Sequence, residues 1–318
     1  MNKAVSISVV LPTYNVGEHI SRALDSLMHQ TYKDFEVIIV DDCGSDSSIE
    51  IANSYARNES RIKIIGNSKN LGTYHARRVG VEHASGDYIV FLDPDDELNN
   101  DILSELQLKI GAEEADIIFF GAKASSKRKW YEKEPYMFPV NKTDSLLVSY
   151  FSNGSRSYLW GIAGKAYKTS FIKKIYNQVN VNHDFRFVYA EDVFLLVHAM
   201  LMRPNYSCVY QQGYVYHNNE TSITQSDIGE GDEKIAQYDF MVDNLLQKVS
   251  EVSLSQEESK VIKFLKKKLL ADRFLLIRHS GSSFDYFKYV VRSFILLPNA
   301  TKFIRLSVFI LSLSLLRL

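Results

Sequence analysis

Three carboxylates that follow a predicted buried strand are the residues best placed to do chemistry. Tyr88–Leu92 is a continuous run of apolar, strand-forming residues, and Asp93, Asp95 and Asp96 come directly after it, with Pro94 ending the strand pairing. Carboxylates crowded in this way repel one another and lose hydration, and a divalent cation with oxygen ligands relieves that cost. The pattern therefore indicates Mg²⁺ or Mn²⁺ holding a diphosphate. The alternative is a polar turn in which Asp95 or Asp96 caps the following helix.

Alternating strands and helices are predicted to position these carboxylates. The predicted strands are Ile7–Leu11, Phe35–Val40, Arg61–Ile65, Tyr88–Leu92, Ala115–Gly121 and Ser207–Tyr216. The predicted helices are Gly17–His29, Asp46–Ala56, Thr73–Ala84, Ile102–Ile110, Leu146–Phe151 and Val193–Met202. This alternation implies right-handed crossovers and an α/β fold with a mostly parallel central sheet flanked by helices.

Polar clusters end three of the predicted strands. They lie at Thr13–Asn15, Asp41-Asp42 and Asp93–Asp96. Since ligands of open α/β sheets bind beyond the carboxyl ends of the strands, we expect the site on that edge. The chain lacks the Gly-x-Gly-x-x-Gly loop that binds dinucleotides, which argues against a nicotinamide-dependent dehydrogenase.

The composition bears on the binding partners of the protein and on its cellular compartment. The 318 residues carry a formal net charge of -1, which gives no general attraction to nucleic acid. Cys43 and Cys208 are the two cysteines, so no disulfide framework is implied and a reducing compartment fits. The N-terminal residues lack the basic and apolar regions of a signal peptide, which predicts a cytoplasmic protein.

The C-terminal third differs from the rest in charge and hydropathy. Because Gly229–Asp232 interrupts the pattern, we predict a domain at residues 1–228 and a helical region at residues 229–318. Nine basic and two acidic residues lie between Lys260 and Arg292, and the apolar segment Phe303–Leu318 is shorter than the roughly 20 residues that span a bilayer. This combination predicts attachment to an anionic membrane surface. The alternatives are packing on the core and contact within a homo-oligomer.

Several short motifs, in this order and spacing, resemble those of bacterial family 2 glycosyltransferases. The motifs are Val9–Asn15, Gln30–Glu36, Val40–Asp46, Asn70–Gly72 with Ala76-Arg77, Asp93–Asp96 and Glu191-Asp192. The resemblance implies the GT-A nucleotide-diphospho-sugar transferase fold, Mn²⁺ or Mg²⁺ as cofactor, and inverting transfer from a UDP-sugar.

Two of these motifs are similar to a narrower group. Val40–Gly44 and Phe91–Asp96 resemble β-1,3-galactosyltransferases that build lipooligosaccharide outer cores. That resemblance implies UDP-galactose as donor and an acceptor ending in N-acetylgalactosamine. The acceptor would then be a glycolipid or oligosaccharide at the inner face of the cytoplasmic membrane.

The family pattern assigns the nucleotide to the first two strand ends, at Pro12, Tyr14, Asn15 and Asp42. The Tyr14 ring is suited to stack on a uracil face, and its alternative role is that of a core aromatic. The Asp42 carboxylate is acceptor-only when ionised, which suits the uracil N3–H. Asp41 is expected to order the local backbone.

The acidic motif and Arg77 are assigned to the diphosphate, ribose and metal. The resemblance makes Asp95 the first metal ligand, Asp93 a contact to ribose or to a metal-bound water, and Asp96 an assisting ligand. Pro94 stands where the family more often has a small polar residue and is counted with the donor site. Arg77 has two open interpretations, a contact to the nucleotide or an ion pair with one of the carboxylates.

The motif Glu191-Asp192 precedes an apolar helix, as the catalytic pair of the family does. Asp192 is assigned as the base that takes the acceptor proton, with Glu191 orienting the base or the acceptor. The alternative is an N-terminal helix cap with a favourable dipole interaction. His217 is a candidate ligand for metal or diphosphate, or a turn histidine. Trp160 and Lys165 border the donor or acceptor, or belong to the core.

Two rival functions remain open at this stage. A transferase of the same fold could use UDP-N-acetylglucosamine, UDP-glucose or UDP-N-acetylgalactosamine in capsule or O-antigen synthesis, because a few pocket residues decide the donor. A protein of another class would bind nucleotide sugars at the membrane without transferring them. The presence of both Asp95 and Asp192 argues against that second function.

Overall fold

The computed structural model describes residues 6–125, 145–152, 161–179, 181–217, 219 and 231–280. The chain divides into two compact units, Met1–Glu220 and Thr221–Leu318. The predicted boundary at residue 228 lies outside the described residues, as do Trp160 and the apolar segment 303–318. Within the described residues, the structure contains no helix with the length and apolar character needed to cross a membrane.

A mixed eight-stranded sheet forms the centre of the first unit, counted over the described residues. The strands are β1 (Ile7–Thr13), β2 (Phe35–Asp41), β3 (Ile62–Gly66), β4 (Tyr88–Phe91), β5 (Glu97–Leu98), β6 (Ile117–Ala124), β7 (Lys165–Lys168) and β8 (Tyr206–Tyr216). Their spatial order is β3-β2-β1-β4-β7-β6-β8-β5.

The helices flank this sheet or follow it in the chain. They are α1 (Ile20–Met28), α2 (Ser48–Ala56), α3 (Thr73–His83), α4 (Ile102–Ala112), α5 (Leu146–Ser152), α6 (Thr169–Gln178), α7 (Glu191–Leu201), α8 (Gly231–Glu251) and α9 (Gln256–Ser280). The predicted alternation of strands and helices is confirmed through β4.

The N-terminal half of the sheet is parallel. Strand β1 pairs with both β2 and β4 in parallel, and β2 pairs with β3 in parallel. Residues Tyr88–Phe91 are buried along the whole strand, as expected for a strand covered on both faces. Helix α3 packs closely on this half, because a Cβ on Gly80 would lie 2.3 Å from Val10 Cγ1. Glycine is therefore needed for helix α3 to approach β1 so closely.

The other half of the sheet contains antiparallel pairs that the sequence patterns missed. Strand β7 runs antiparallel to β4 and to β6, and β5 runs antiparallel to β8. Glu97–Leu98 is too short to show an alternating pattern, and the lysines at both ends of Lys165–Lys168 obscure that strand. Helix α6 follows β7 without a loop and was missed with it.

The described part of the second unit consists of helices α8 and α9. A reciprocal capping box starts α9: the Glu258 amide donates to Ser255 Oγ at 3.2 Å, and the Ser255 amide donates to Glu258 Oε2 at 2.9 Å. Buried apolar residues of the two helices are Tyr238, Met241, Val242, Leu245, Leu265 and Leu269. The exposed side of α9 carries Lys260, Lys263, Lys266 and Lys267.

Candidate active site

The polar clusters lie together at the carboxyl edge of the parallel strands. In the register of β1 and β2, Thr13 lies opposite Asp41, so Tyr14 and Asp42 follow neighbouring strand ends. Strand β4 pairs with β1 on the other side, which brings Asp93 to the same edge. This placement follows from parallel pairing and agrees with the sequence-based expectation.

Asp42 holds the loop that precedes helix α3. Its carboxylate is almost fully buried and accepts hydrogen bonds from Asn67 Nδ2 at 2.7 Å, the Leu71 amide at 2.9 Å and the Gly72 amide at 2.8 Å. Burial raises the pKa of Asp42, although these hydrogen bonds oppose the rise. Since a carboxylate offers about four lone-pair directions, Asp42 has capacity for one further donor.

The end of β1 is ordered by backbone and amide contacts. Asn15 adopts the left-handed region with φ of 50° and accepts a hydrogen bond from the Ser45 amide at 2.8 Å. Asp41 accepts from the Cys43 amide at 3.0 Å and so orders the local backbone, which is the arrangement expected for it. Tyr14 is 41% exposed, which argues against a core role and leaves its ring available for stacking.

Arg77 joins the two acidic motifs. Its Nη1 donates to Glu191 Oε1 at 2.8 Å and its Nη2 donates to Asp93 Oδ1 at 2.8 Å. Burial alone would lower the pKa of Arg77, but Asp93 and Glu191 outweigh it and raise that pKa. Of the two interpretations left open by the sequence, the structure shows the ion pair with carboxylates.

Helix α7 begins with the candidate catalytic pair. Ala190 occupies the N-cap position with φ of 63°, so neither Glu191 nor Asp192 is the N-cap residue. Asp192 Oδ1 accepts a hydrogen bond from the Val193 amide at 2.7 Å, in the first turn of the helix. Burial raises the pKa of both carboxyls, and the neighbouring Asp192 raises the pKa of Glu191 further. A carboxylate with a raised pKa is a better proton acceptor than an exposed one.

Lys165 lies close to Asp192 and is almost fully buried. Its Nζ donates to Gly161 O at 2.5 Å and to Ala163 O at 3.1 Å. Burial lowers the pKa of Lys165 to about 7, while Asp192 favours the charged form. The sequence pointed to Lys165 only as part of a segment. A lysine within the otherwise apolar run Ile162–Tyr167 was the available signal, because lysine is rarely buried unless it has polar partners.

The acidic motif forms a β-turn after β4. The Asp96 amide donates to Asp93 O at 3.0 Å, and Pro94 occupies the second position of the turn, which it favours. Asp95 Oδ2 accepts a hydrogen bond from Asn219 Nδ2 at 2.9 Å. Burial raises the pKa of Asp95, and Asp93 raises it further.

Asp96 and His217 both contact other side chains of the protein. Asp96 accepts from Tyr214 Oη at 2.8 Å and from the His217 amide at 2.8 Å, one hydrogen bond on each carboxylate oxygen. Burial, followed by the charges of Asp95 and Asp93, raises the pKa of Asp96 to about 8. His217 Nε2 lies 3.1 Å from Glu97 Oε2, so the imidazole is directed at Glu97.

The four predicted metal ligands therefore do not converge. Within the described ranges, no group of three or more His, Cys, Asp or Glu side chains is arranged to hold a metal ion. Asp95 nevertheless fits a divalent cation. Its carboxylate accepts one hydrogen bond from another residue, whereas that of Asp96 accepts two. Burial and the charge of Asp93 disfavour its ionised form, and a bound cation would relieve that cost. Asp93 contributes a second carboxylate, which is shared with Arg77.

A segment before α7 covers the loop that Asp42 holds, a contact that the sequence did not reveal. The Tyr74 amide donates to Phe187 O at 3.1 Å, Arg186 Nε donates to Asn70 Oδ1 at 3.2 Å, and Lys69 pairs with Asp184 at 2.8 Å. These contacts connect the loop held by Asp42 to the residues that lead into Glu191 and Asp192.

Comparison with known proteins assigns the family. Residues 8–179 match the family described as Glycosyl transferase family 2, which is more than half of the 318 residues. The chain belongs to glycosyl transferase family 2. Its mixed sheet with flanking helices is the GT-A fold that the resemblance implied.

One relative matches the chain over a longer stretch of sequence, but at low identity. The chain is 28% identical over 225 residues to the uncharacterized glycosyltransferase EpsJ of Bacillus subtilis (strain 168), a match that covers 69% of this chain and 63% of that protein. The chain thus spans less than two thirds of that relative's length.

Two solved structures share the fold. TarS of S. aureus, residues 1–349 in complex with UDP-GlcNAc, has a TM-score of 0.65 and 22% identity, and the match covers 92% of this chain and 82% of that one. The mannosyltransferase PcManGT of Pyrobaculum calidifontis, in complex with GDP-Man and Mn²⁺, has a TM-score of 0.55 and 14% identity and covers 97% and 85%. At these identities the likeness shows the fold alone.

Proposed function

We propose that this chain is an inverting glycosyltransferase that moves a sugar from a UDP-sugar to a hydroxyl group of a surface-glycan precursor. The observation that carries this proposal is the hydrogen-bonded path from Asp93 through Arg77 to Glu191, beside Asp192, at the carboxyl edge of the sheet. In a family 2 chain, that path connects the residues suited to a diphosphate with the residues suited to a proton transfer.

The donor site is assigned to the strand ends. Tyr14 stacks on the uracil ring, Asp42 uses its remaining acceptor capacity for the uracil N3–H, and Pro12 and Asn15 shape the loop between them. Asp93 binds the ribose or a metal-bound water, and Pro94 holds the turn on which it lies. The exposure of Tyr14 and the buried, ordered carboxylate of Asp42 support these roles.

Asp95 is assigned as the residue that holds Mn²⁺ or Mg²⁺, with Asp93 beside it. A divalent cation bound there would supply positive charge to the diphosphate and stabilise it as a leaving group. The complex of PcManGT with Mn²⁺ supports a metal in this fold. Asp96 supports the turn through Tyr214 rather than acting as a primary ligand.

The transfer is a single displacement at the anomeric carbon. The acceptor hydroxyl gives its proton to Asp192, and its oxygen forms a bond to the anomeric carbon. The bond from that carbon to the phosphate oxygen breaks, and UDP leaves with the electron pair. Attack from the face opposite the leaving group converts an α-linked donor into a β-glycoside. Glu191, held by Arg77, keeps the first turn of α7 in position.

Galactose is the proposed sugar, and a lipooligosaccharide or other glycolipid is the proposed acceptor. The motif resemblance over Val40–Gly44 and Phe91–Asp96 supports both. UDP-N-acetylglucosamine is the second donor to consider, because TarS binds it in the same fold. The exposed lysines of α9 support peripheral attachment to the inner face of the cytoplasmic membrane, where such acceptors are held.

The test is acceptor-dependent UDP release by the purified chain with Mn²⁺. UDP-galactose, UDP-N-acetylglucosamine, UDP-glucose and UDP-N-acetylgalactosamine are each combined with p-nitrophenyl glycosides of N-acetylgalactosamine and of galactose. Release with UDP-galactose, and a β-linkage by NMR, supports the full proposal. Release with another donor replaces galactose, an α-linkage contradicts inversion, and UDP-sugar binding without any transfer favours a non-catalytic binding protein.

A further inference from the structure

Gly161 lies beside the proposed base, and the side of it that would carry a Cβ faces polar atoms. An ideal Cβ built on Gly161 would lie 3.7 Å from Asp192 Oδ2, 3.7 Å from Tyr216 Oη and 3.9 Å from the Ala163 amide nitrogen. None of these distances is closer than ordinary van der Waals contact. As far as the described residues show, the absence of a side chain leaves room beside the carboxylate, and packing against them is not the reason for glycine here.

Lys165 fixes the backbone around this glycine. The Lys165 ammonium donates to the carbonyls of Gly161 and Ala163, so residues 161–163 fold around its buried Nζ. Strand β7, which begins at Lys165, is hydrogen-bonded on both edges to β4 and β6. The position of Gly161 relative to Asp192 is thus set by a paired strand and a buried cation.

The two oxygens that flank Gly161 lie close enough together for one sugar to contact both. Since Asp192 Oδ2 and Tyr216 Oη each lie 3.7 Å from the same point, they are at most 7.4 Å apart. With O–H···O distances of about 2.8 Å, two hydroxyls on neighbouring carbons of one sugar ring reach both oxygens even at that upper limit. Asp192 Oδ1 is used by the Val193 amide, which leaves Oδ2 as the oxygen directed toward this space.

We propose that the bare face of Gly161, Asp192 Oδ2 and Tyr216 Oη form the subsite for the acceptor hydroxyls. The inference rests on the proposed function and names the residues that bind the acceptor in that reaction. The reacting hydroxyl approaches Asp192 Oδ2 across Gly161, and Tyr216 Oη binds a neighbouring hydroxyl of the same ring. Gly161 and Tyr216 are then specificity-determining residues, and Lys165 is a positioning residue that acts through the 161–163 backbone.

The test compares Gly161→Ala, Gly161→Leu and Tyr216→Phe with the wild-type chain and with Gly111→Ala. A Cβ on Gly111 meets nothing within 4 Å, so that substitution controls for the general effect of replacing glycine by alanine. Acceptor kinetics are measured with the UDP-sugar and the p-nitrophenyl glycoside that the wild-type chain uses. The KM for that UDP-sugar and its slow hydrolysis by water are measured alongside.

We expect Gly161→Ala to lower kcat/KM for the glycoside by about 10- to 200-fold, as one misplaced methyl group does in a fitted pocket. Gly161→Leu should lower it further, and Tyr216→Phe by about fivefold to tenfold. The KM for the UDP-sugar should stay within about twofold of wild type. Hydrolysis by water should fall much less than transfer to the glycoside, because a water molecule needs less space beside Asp192 than a sugar does.

Two results overturn the subsite. One is acceptor kinetics for Gly161→Ala and Tyr216→Phe that match Gly111→Ala. The other is an equal loss of transfer and of hydrolysis by water in all three site variants, which would show damage to the base and not to the acceptor site. If the wild-type chain transfers none of the four UDP-sugars to a glycoside, the proposed function is overturned first, and the subsite with it.

Discussion

Arg77 and Glu191 form a buried ion pair, with Nη1 and Oε1 2.8 Å apart, although 114 residues separate them in the sequence. The side chain of Arg77 is 5% exposed and that of Glu191 is 9% exposed. The second arm of the same guanidinium reaches Asp93. A single side chain on helix α3 therefore connects that helix with helix α7 and with the turn after β4.

Removing Arg77 should destabilise the fold. We expect Arg77→Met to lower the free energy of unfolding by about 3 to 5 kcal/mol, because it leaves a buried carboxylate without its cation. Urea unfolding measures the change. Arg78→Met is the matched control: Arg78 pairs with Glu82 on the helix surface, and its loss should cost about 1 kcal/mol or less. Equal losses in the two variants would show that the buried pair contributes nothing special.

Replacing the proposed base should separate binding from chemistry. We expect Asp192→Asn to keep the affinity for UDP-sugar within about twofold and to lower transfer by roughly 10²- to 10⁴-fold, since the amide cannot take a proton. Calorimetric titration and product analysis measure the two quantities. Asp243→Asn, at an exposed position of α8, serves as the control. Wild-type turnover in Asp192→Asn would remove this residue from the role of base.

Replacing Asp95 should weaken the binding of a divalent cation. We expect Asp95→Asn to raise the dissociation constant for Mn²⁺ by about tenfold or more, because an anionic ligand is lost. The decrease in the electron paramagnetic resonance signal of free Mn²⁺ measures binding without reference to activity. Asp101→Asn removes an exposed carboxylate beyond the turn and should leave binding unchanged. The same Mn²⁺ affinity in both variants contradicts a metal site at Asp95.

Glu36 should stabilise the fold in a pH-dependent way. Its carboxylate accepts hydrogen bonds from Lys63 Nζ, Ser8 Oγ and the Ser85 amide, each at 2.7 Å. Burial alone would raise the pKa of Glu36, but these donors outweigh it and lower the pKa to about 2. A pKa that is lower in the folded than in the unfolded state gives stability above the unfolded value, and that stability is lost as the pH falls toward 2.

We therefore expect Glu36→Gln to lower the free energy of unfolding by about 1 to 2 kcal/mol at pH 7, because the partner Lys63 is 55% exposed and solvent screens part of the interaction. The difference from wild type should shrink between pH 4.5 and pH 2, where the native carboxylate is protonated as well. Unfolding by urea across this pH range gives the curve. Glu82→Gln, which removes a more exposed glutamate, is the control and is unfolded over the same pH range. A difference that stays constant down to pH 2 would contradict the role of the Glu36 charge.

The exposed lysines of α9 should bind an anionic membrane surface. We expect Lys266→Ala with Lys267→Ala to weaken binding to vesicles that contain phosphatidylglycerol by about 2 kcal/mol, or roughly 30-fold, because each surface lysine contributes about 1 kcal/mol. Sedimentation with vesicles measures the affinity. The pair Lys33→Ala with Lys174→Ala removes two exposed lysines of the first unit. If both pairs weaken binding equally, net charge and not α9 is responsible.

Sequence patterns predicted the parallel half of the fold well. Buried parallel strands need continuous apolar runs, and β1, β2 and β4 each end in a polar cluster that marks the carboxyl edge. The order of these clusters along the chain predicts that Asp42 and Asp93 lie on one edge of the sheet. Local patterns suffice here because each strand and its crossover helix are close in sequence.

The partners of the site residues could not be predicted in the same way. An ion pair of Arg77 with a carboxylate was one of the two interpretations that the sequence left open. Its pairing with both Glu191 and Asp93 depends on the docking of α7 against α3, which no local pattern encodes. The cluster Asp93–Asp96 suggested a set of converging ligands. The turn at Pro94 instead directs Asp96 inward to Tyr214, while Asp95 bonds to Asn219. Lys165 was missed as the neighbour of Asp192 because its strand is short and ends in lysine.

The long reach of the Arg77 pair has a consequence for the order in which the protein is made. A chain leaving the ribosome can form the Asp93–Arg77 contact early, because both residues belong to the N-terminal half. Glu191 and Asp192 emerge later, after the end of the family match at residue 179. The nascent protein therefore acquires the residues proposed for the nucleotide before it acquires Asp192, the proposed base. On the proposed mechanism, transfer has to wait until α7 has docked.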